Sequence, residues 1–499
     1  MTNLSNKISG QNNASNNSML ESERSAAQLV IEEWKRPAHG TQYFAALSAS
    51  MGAMAVGAAI GYSSPASAAF RYDNTTEVIT DNSTFGNLYL SKEARGWFAG
   101  SLSIGALLGC MLAGLCINNI GRKGTMLVSV VPLLSGWILI GLAQNLSMLV
   151  IGRILCGLCT GISSLVVPTY TTEFASKDIR GALGTGFQLF ITVGILYAYI
   201  FGWAMDSWRL LTVVCGALGF VFLLMAAFLK ESPHYLLSKG KEMQARQSMQ
   251  YFRGKSYDIQ QEMEELKKSL KDSSDVKVTL SDLSTPYILK PLLITLALMV
   301  FQQLAGVNAV IYNINIIFQD SGSQLSDDMS TIVVGVVQVL ATAASTLLID
   351  RAGRKLLLSL SAGVMSFSII CLGVFFYVKT HDEEWVVNNL SWMPLTSLIV
   401  FITAFSIGYG PIPWIMMGEL FYPNVKEAAG SLATTINWTC VFIVTFTFEP
   451  LQGAIHDYGV YWLFGSISAL NFIFCLAFVP ETKGKTLQET TAYFGGPPS

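Results

Sequence analysis

Two hexapeptides decide the reading of this chain: Asn118-Asn119-Ile120-Gly121-Arg122-Lys123 and Asp350-Arg351-Ala352-Gly353-Arg354-Lys355. Each is a polar hinge built around a glycine and cations, and each sits between two long apolar runs. A membrane span needs about 20 apolar residues to cover roughly 30 Å of hydrocarbon. Reading outward from the first hexapeptide gives spans 1 to 6 at residues 43–62, 96–117, 124–143, 147–169, 183–203 and 209–229. Reading outward from the second gives spans 7 to 12 at 286–318, 329–349, 356–378, 394–418, 428–447 and 458–479. Two more landmarks repeat in the same order. Glu173 is followed seven residues on by Arg180 after span 4, as Glu419 is by Lys426 after span 10. Glu231-Ser232-Pro233 follows span 6, as Pro480-Glu481-Thr482 follows span 12. Matched landmarks in a fixed order indicate a duplicated six-helix unit.

The expected fold is an all-α membrane protein, with twelve transmembrane helices in two pseudo-symmetric six-helix bundles. The bundles are 43–229 and 286–479, joined by a charged linker of short helices at 230–285, with a polar tail at 1–42 and another at 480–499. Composition agrees. Hydrophobic residues make up 52% and charged residues 13% of the 499, with a mean hydropathy of +0.46. A soluble domain carries about 25% charge. The net charge of −2 leaves no basic field for nucleic acid. All eight cysteines lie inside apolar runs, and Cys156-x-x-Cys159 has neither a second such pair nor a histidine pair beside it. They read as small packing residues, so no metal and no cofactor is expected.

The tail at 1–42 has no apolar core with a cleavage site, so it reads as a disordered cytoplasmic segment rather than a signal peptide. Arg122, Lys123, Lys177, Arg180, Arg351, Arg354, Lys355 and Lys426 crowd the loops on the side of the linker and tails. The positive-inside rule then makes both termini cytoplasmic. Asn74 and Asn82 in the loop after span 1, and Asn389 in the loop after span 9, are the glycosylation sequons that fall outside. The repeated charges at cytoplasmic helix ends have two readings. They anchor topology, or they form ion pairs that tie the halves together inside while the outside is open, and that break on opening inward.

Neutral amides cluster inside the spans: Gln188 in span 5, Gln302, Gln303 and Asn308 in span 7, Gln338 in span 8 and Asn437 in span 11. Amides can bond helix to helix. They also offer donors and acceptors without charge, which suits a solute whose hydroxyls do both. Gly408-Tyr409-Gly410-Pro411-Ile412-Pro413 predicts a break in span 10. Such a break is tolerated only against protein or a water-filled cavity. Trp414 just beyond it could present a flat apolar face with its N–H free.

Several motifs carry a resemblance. They are Gly152-Arg153, Pro168-x-Tyr170 ahead of Glu173, Arg180-Gly181, Gln302-Gln303-Leu304-Ala305-Gly306-Val307-Asn308, Gly410-Pro411-x-Pro413-Trp414 and Pro480-Glu481-Thr482-Lys483-Gly484. From about residue 43 to 490 the chain resembles the sugar-porter branch of the major facilitator superfamily, which includes glucose-transporter-like facilitative carriers. Gly418-Glu419-Leu420-Phe421, Val425-Lys426 and Asn437-Trp438 look most like insect facilitated trehalose transporters. The resemblance implies an alternating-access carrier in the plasma membrane, with a small sugar and the lipid bilayer as its partners. It places sugar contacts at Gln188, Gln302, Gln303, Asn308, Gln338, Trp414 and Asn437. It implies gating roles for Arg122, Arg153, Glu173, Arg180, Glu231, Tyr312, Asp350, Arg351, Arg354, Glu419, Lys426 and Glu481.

Three positions depart from the family pattern. Asn118 stands in place of an acidic residue, Lys426 and His234 in place of arginine, and together they imply a less tightly latched inner gate. Proton-coupled sugar porters use an aspartate in span 1, whereas residues 41–72 hold no Asp or Glu and the matching position is Ala58. Passive uniport of trehalose or a glucose-type hexose is therefore expected. Proton symport and a non-transporting sugar receptor remain the alternatives. An enzyme has the weakest case, since no nucleophile–base pair, phosphate loop or metal cluster is visible.

Overall fold

The computed structural model describes residues 37–71, 79–80, 88–176, 178–205, 207–275, 285–322, 326–421, 423–485, 489 and 493–494, with the backbone alone at 79–80, 272–275, 286, 350 and 423–428. Most of the tail at 1–42, and the sequons at Asn74 and Asn82, lie outside the described residues. Within them, ten helices are long and apolar enough to cross a membrane. Two of these, Lys92–Gly141 and Ala429–Phe478, run for 50 residues each. Each is two spans joined without a loop, folded back at Gly121 (φ +81°) in one and at His456 (φ +60°) in the other. Ten helices with two doubled give the twelve spans expected.

Span 1 is Gly40–Gly61, prolonged by Ser63–Ala69. Spans 4, 5 and 6 are Leu146–Phe174, Arg180–Ala204 and Trp208–Ala227; spans 8 and 9 are Asp327–Ala352 and Arg354–Lys379. Span 10 breaks where its glycines and prolines predict: Met393–Ala404 passes into a π-helical turn at Phe405–Tyr409, then restarts as Ile412–Leu420. Span 7, read from the sequence as one continuous helix, is two. Pro286–Leu304 and Val307–Ser321 are separated at Gly306, whose φ is +86°. A Cβ there would lie 2.3 Å from the Phe464 ring, so glycine is required both by the dihedral and by the ring.

Close helix approach comes from small residues. A Cβ at Gly157 would meet Leu102 O at 2.1 Å, and one at Gly161 would meet Ala106 O at 2.0 Å, so spans 2 and 4 touch backbone to backbone. The linker forms three helices, Pro233–Ser238, Glu242–Arg253 and Gln260–Asp275, against the first bundle. Phe252 stacks on Phe174 at 4.9 Å. The buried Arg253 donates to Phe174 O at 2.7 Å and pairs with Glu262 at 2.9 Å. A short helix, Glu383–Leu390, precedes span 10, and Ile79–Thr80 pairs antiparallel with Leu88–Tyr89.

Candidate functional site

Both breaks, in spans 7 and 10, serve one polar cluster. Breaking span 10 frees the carbonyls of Tyr409 and Gly410, and Gln302 Nε2 donates to them at 2.8 and 3.0 Å. Gln302 Oε1 in turn accepts from Asn437 Nδ2 at 2.9 Å and from Gln303 Nε2 at 3.3 Å. Gln303 Nε2 also donates to Asn437 Oδ1 at 3.2 Å, and Gln303 Oε1 accepts from Asn308 Nδ2 at 2.5 Å. Four of the seven sequence-derived contact residues thus form one continuous amide network. The turn at Gly306 lets Asn308, on the second half of span 7, fold back onto Gln303 on the first. Of the other three, Gln338 is buried in span 8, while Gln188 and Trp414 are half-buried. Among the described residues none of these three side chains hydrogen-bonds to the network. Span 5 on the Gln188 side is loosely covered, with open space around Gly181 and Gly184.

At the end of the molecule that carries the hexapeptides, the repeat holds atom by atom. Glu231 accepts backbone N–H bonds from Arg122 (2.9 Å), Lys123 (3.1 Å) and Ser232 (2.8 Å). Glu481 accepts from Arg354 (3.0 Å), Lys355 (3.1 Å) and Lys483 (2.9 Å). Each carboxylate thereby caps the start of a span, where free N–H groups favour an anion. Glycine is obligatory beneath each. Gly121 and Gly353 have φ of +81° and +94°, and a Cβ would lie 2.4 Å from Glu231 Oε2 and 2.7 Å from Glu481 Oε2. Burial pushes the Glu481 carboxyl up, but the amides of Lys483, Arg354, Lys355 and Thr482 outweigh it and hold it below the usual range.

The ion pairs repeat as well. Arg122 Nη2 reaches Glu173 at 2.5 Å, and Ser232 Oγ bonds the same carboxylate. Arg354 Nη2 reaches Glu419 at 3.0 Å, and Thr482 Oγ1 bonds that carboxylate at 2.5 Å. Both pairs close inside one half, not between halves. His234 stands 3.6 Å from Glu173, while Asn118 is exposed with no side-chain partner among the described residues. Arg180 is exposed and touches Ala175 O at 3.3 Å; Arg351 is exposed, its carbonyl accepting from Lys483 Nζ. The side chains of Asp350 and Lys426 lie outside the described residues.

Arg153 belongs to neither charge cluster. It is fully buried in span 4, where Nη1 donates to Ala59 O at 2.6 Å, Nη2 to Ser63 Oγ, and the guanidinium lies 5.0 Å from the Phe98 ring centre. It therefore faces the turn of span 1 that carries Ala58, and among the described residues no carboxylate pairs with it. Tyr312 is fully buried, one turn beyond Asn308.

The halves meet at the end opposite the hexapeptides. Tyr199 donates to Ile311 O at 2.9 Å, Asn315 N to Ser64 Oγ at 3.1 Å, and Arg71 pairs with Asp320 at 2.7 Å. Spans 2 and 11 add a buried bidentate pair that the sequence reading missed: Arg95 Nε and Nη2 donate to Glu449 Oε1 and Oε2 at 3.0 and 2.9 Å. Glu449 follows a long apolar run as a lone carboxylate before Pro450. That was the available signal. These contacts tie the two halves together at this end.

The chain matches the family described as "Sugar (and other) transporter" over residues 45–494. It is 40% identical to the facilitated trehalose transporter Tret1 of Apis mellifera ligustica, over 91% of this chain and 88% of the relative. It is also 40% identical to Tret1 of Anopheles gambiae, over 90% of this chain and 55% of that longer protein. The partially occluded inward-open structure of the xylose transporter XylE from E. coli aligns with a TM-score of 0.74 and 26% identity, covering 89% of this chain and 99% of that one. Another structure of that protein, titled a proton:xylose symporter, aligns with a TM-score of 0.69 at 24% identity over 91% of this chain and 99% of that one.

Proposed function

Because the chain belongs to the sugar transporter family, we propose that it is a facilitative carrier that moves trehalose, or a glucose-type hexose, down its gradient by alternating access. The observation that carries this reading is the amide network of Gln302, Gln303, Asn308 and Asn437. It is neutral, rich in both donors and acceptors, and built on the helix breaks of spans 7 and 10. Gln188, Gln338 and Trp414 complete the contact surface when a sugar is bound, Trp414 against its C–H face. A carrier must release what it binds, so affinity is millimolar, about −4 kcal/mol.

Uniport is favoured by Arg153. Its partners are a carbonyl, a hydroxyl and a ring, and none of these gains or loses a proton during a transport cycle. The hexapeptide end faces the cytoplasm, with both termini, and the protein sits in the plasma membrane. In this orientation the halves are tied together on the outer side, which is the arrangement of an inward-facing carrier. Arg122–Glu173 and Arg354–Glu419 then hold each half rigid, and Arg180, Arg351, Asp350 and Lys426 take up their gating roles at the inner seam when it closes. Transport, rather than catalysis, is the activity of these residues.

The test is uptake of labelled trehalose and labelled glucose in oocytes, at pH 5.5 and 7.5, with and without a protonophore. Saturable uptake insensitive to the protonophore is expected. Uptake that collapses with the proton gradient would establish symport. No uptake, with protein at the surface, would point to a receptor.

A further inference from the structure

We propose that the buried Arg95–Glu449 pair is the latch of the outer gate, and that its making and breaking sets which way the empty carrier faces. The pair joins the two halves directly. Arg95 belongs to the outer start of span 2 and Glu449 to the outer end of span 11, and both side chains are less than a tenth exposed. All three guanidinium nitrogens are engaged: Nε and Nη2 hold both carboxylate oxygens, and Nη1 donates to Leu90 O at 3.0 Å.

The surroundings explain why this contact has leverage over the gate. Beneath it the span 2–span 11 seam is apolar and close. A Cβ at Gly96 would lie 3.0 Å from Phe446 O and one at Gly100 3.1 Å from the Phe442 ring, while Trp97 packs edge-on to Phe446 at 4.8 Å. Above it lies a polar vestibule of about 400 Å3, lined by Arg71, Lys92, Asp320, Lys379 and Asp457 as well as the pair itself. Arg71–Asp320 also crosses the halves, but at 29% and 28% exposure it is wetted already and contributes little to the balance. Arg95–Glu449 differs. In the sealed state both charges are buried and matched, and truncating one leaves the other buried and unpaired, which strongly disfavours that state. Opening outward hands both to the water of the vestibule. A single substitution therefore destabilises only the sealed state and shifts the resting carrier toward facing outward.

The inference rests on the alternating-access reading but not on which sugar moves, so its test uses no sugar. Ser103 is buried on the stripe of span 2 that continues from Gly96 and Gly100, and Ser103→Cys reports outer opening to a membrane-impermeant thiol reagent. Gly184→Cys, on the open face of span 5, reports inner opening from the cytoplasmic side. Arg95→Gln and Glu449→Gln should each raise the Ser103→Cys labelling rate at least about tenfold and lower Gly184→Cys labelling in parallel. The charge swap Arg95→Glu with Glu449→Arg should return both rates toward those of the parent. If the neutral variants fail to reach the surface, Glu449→Asp keeps the charge, shortens the reach and should give an intermediate rate. Unchanged labelling in these variants would overturn the latch. So would faster labelling at Ser103→Cys with no fall at Gly184→Cys, because that is local loosening rather than a change of state.

Discussion

Replacing Gln303 with alanine separates a substrate-contact amide from a structural one. Gln303 makes three side-chain bonds, to Gln302, Asn437 and Asn308, and each goes to another amide. None holds backbone, and the two it donates are long, at 3.3 and 3.2 Å. A sugar hydroxyl can take over such bonds without disturbing a helix. If Gln303 offers the sugar two hydrogen bonds at about 1 kcal/mol each, Gln303→Ala costs about 2 kcal/mol of binding, or roughly 30-fold in KM. With the lower value of about 0.6 kcal/mol per bond found within membranes, the increase is roughly sevenfold. A millimolar KM therefore moves to between about 7 and 30 mM. Concentration-dependent uptake, normalised to biotinylated surface protein, reads this directly. Gln302→Ala should behave differently. It strips the side-chain donor that, among the described residues, satisfies the freed carbonyls of Tyr409 and Gly410, at about 1–3 kcal/mol for each group left unsatisfied, so surface protein falls as well as uptake. A Gln303→Ala variant at normal surface level, with KM within about twofold of the parent, would lie well below even the weaker bond value and would show that the amide does not touch the sugar.

Other residues give sharper outcomes for stability and topology. Gly121→Ala and Gly353→Ala force a side chain into a glycine-only backbone region and onto the Glu231 or Glu481 carboxylate; each should cost about 1–3 kcal/mol, seen as a lower melting temperature of purified protein. Glu481 is held below its ordinary range when folded, so its contribution is complete above the unfolded value of about 4.3 and is lost as pH falls through the lower folded value. Acid melting should therefore be blunted in Glu481→Gln, which starts from a lower melting temperature at neutral pH. Asn389 is exposed on the helix Glu383–Leu390; if that face is outside, enzymatic deglycosylation should shift the mobility of the parent, and removing Asn74, Asn82 and Asn389 together should abolish the shift.

How far the sequence revealed the structure depended on whether the cause was local. The break in span 10 was legible because Gly408, Gly410, Pro411 and Pro413 alter the backbone by their own chemistry. The break in span 7 was not, since Ala305-Gly306-Val307 carries no proline and a lone glycine is common within a span. What demands it is the Phe464 ring, a residue of span 12 that only the packed bundle brings to Gly306. The amide cluster was legible as a set of residue types but not as a network, because the order Asn308 to Gln303 to Asn437 to Gln302 depends on that hidden turn. Arg95 and Glu449 lay furthest from view. They belong to different halves, and an arginine beside an outer loop looks like any other interfacial cation until its partner is seen.

The two kinds of polar contact also divide the labour between duplication and divergence. Four features at the hexapeptide end exist twice: a capping carboxylate, a glycine beneath it, an arginine on a second carboxylate and a hydroxyl on the same carboxylate. Gly121, Arg122, Glu173, Glu231 and Ser232 in one half answer Gly353, Arg354, Glu419, Glu481 and Thr482 in the other. Contacts closed within each half cannot report on the seam, and identical contacts in both halves favour neither facing state. They make each bundle a rigid body. The amide network has no such twin: all four of its members come from spans 7 and 11 of the second half. The buried outer pair likewise takes one charge from each half. Recognition and bias therefore reside in the features that broke the symmetry. Exchanging the paired hexapeptide-end residues between halves, such as Ser232→Thr with Thr482→Ser, should accordingly leave KM and facing preference unchanged, whereas no substitution confined to the first half can rebuild the network lost in Gln303→Ala.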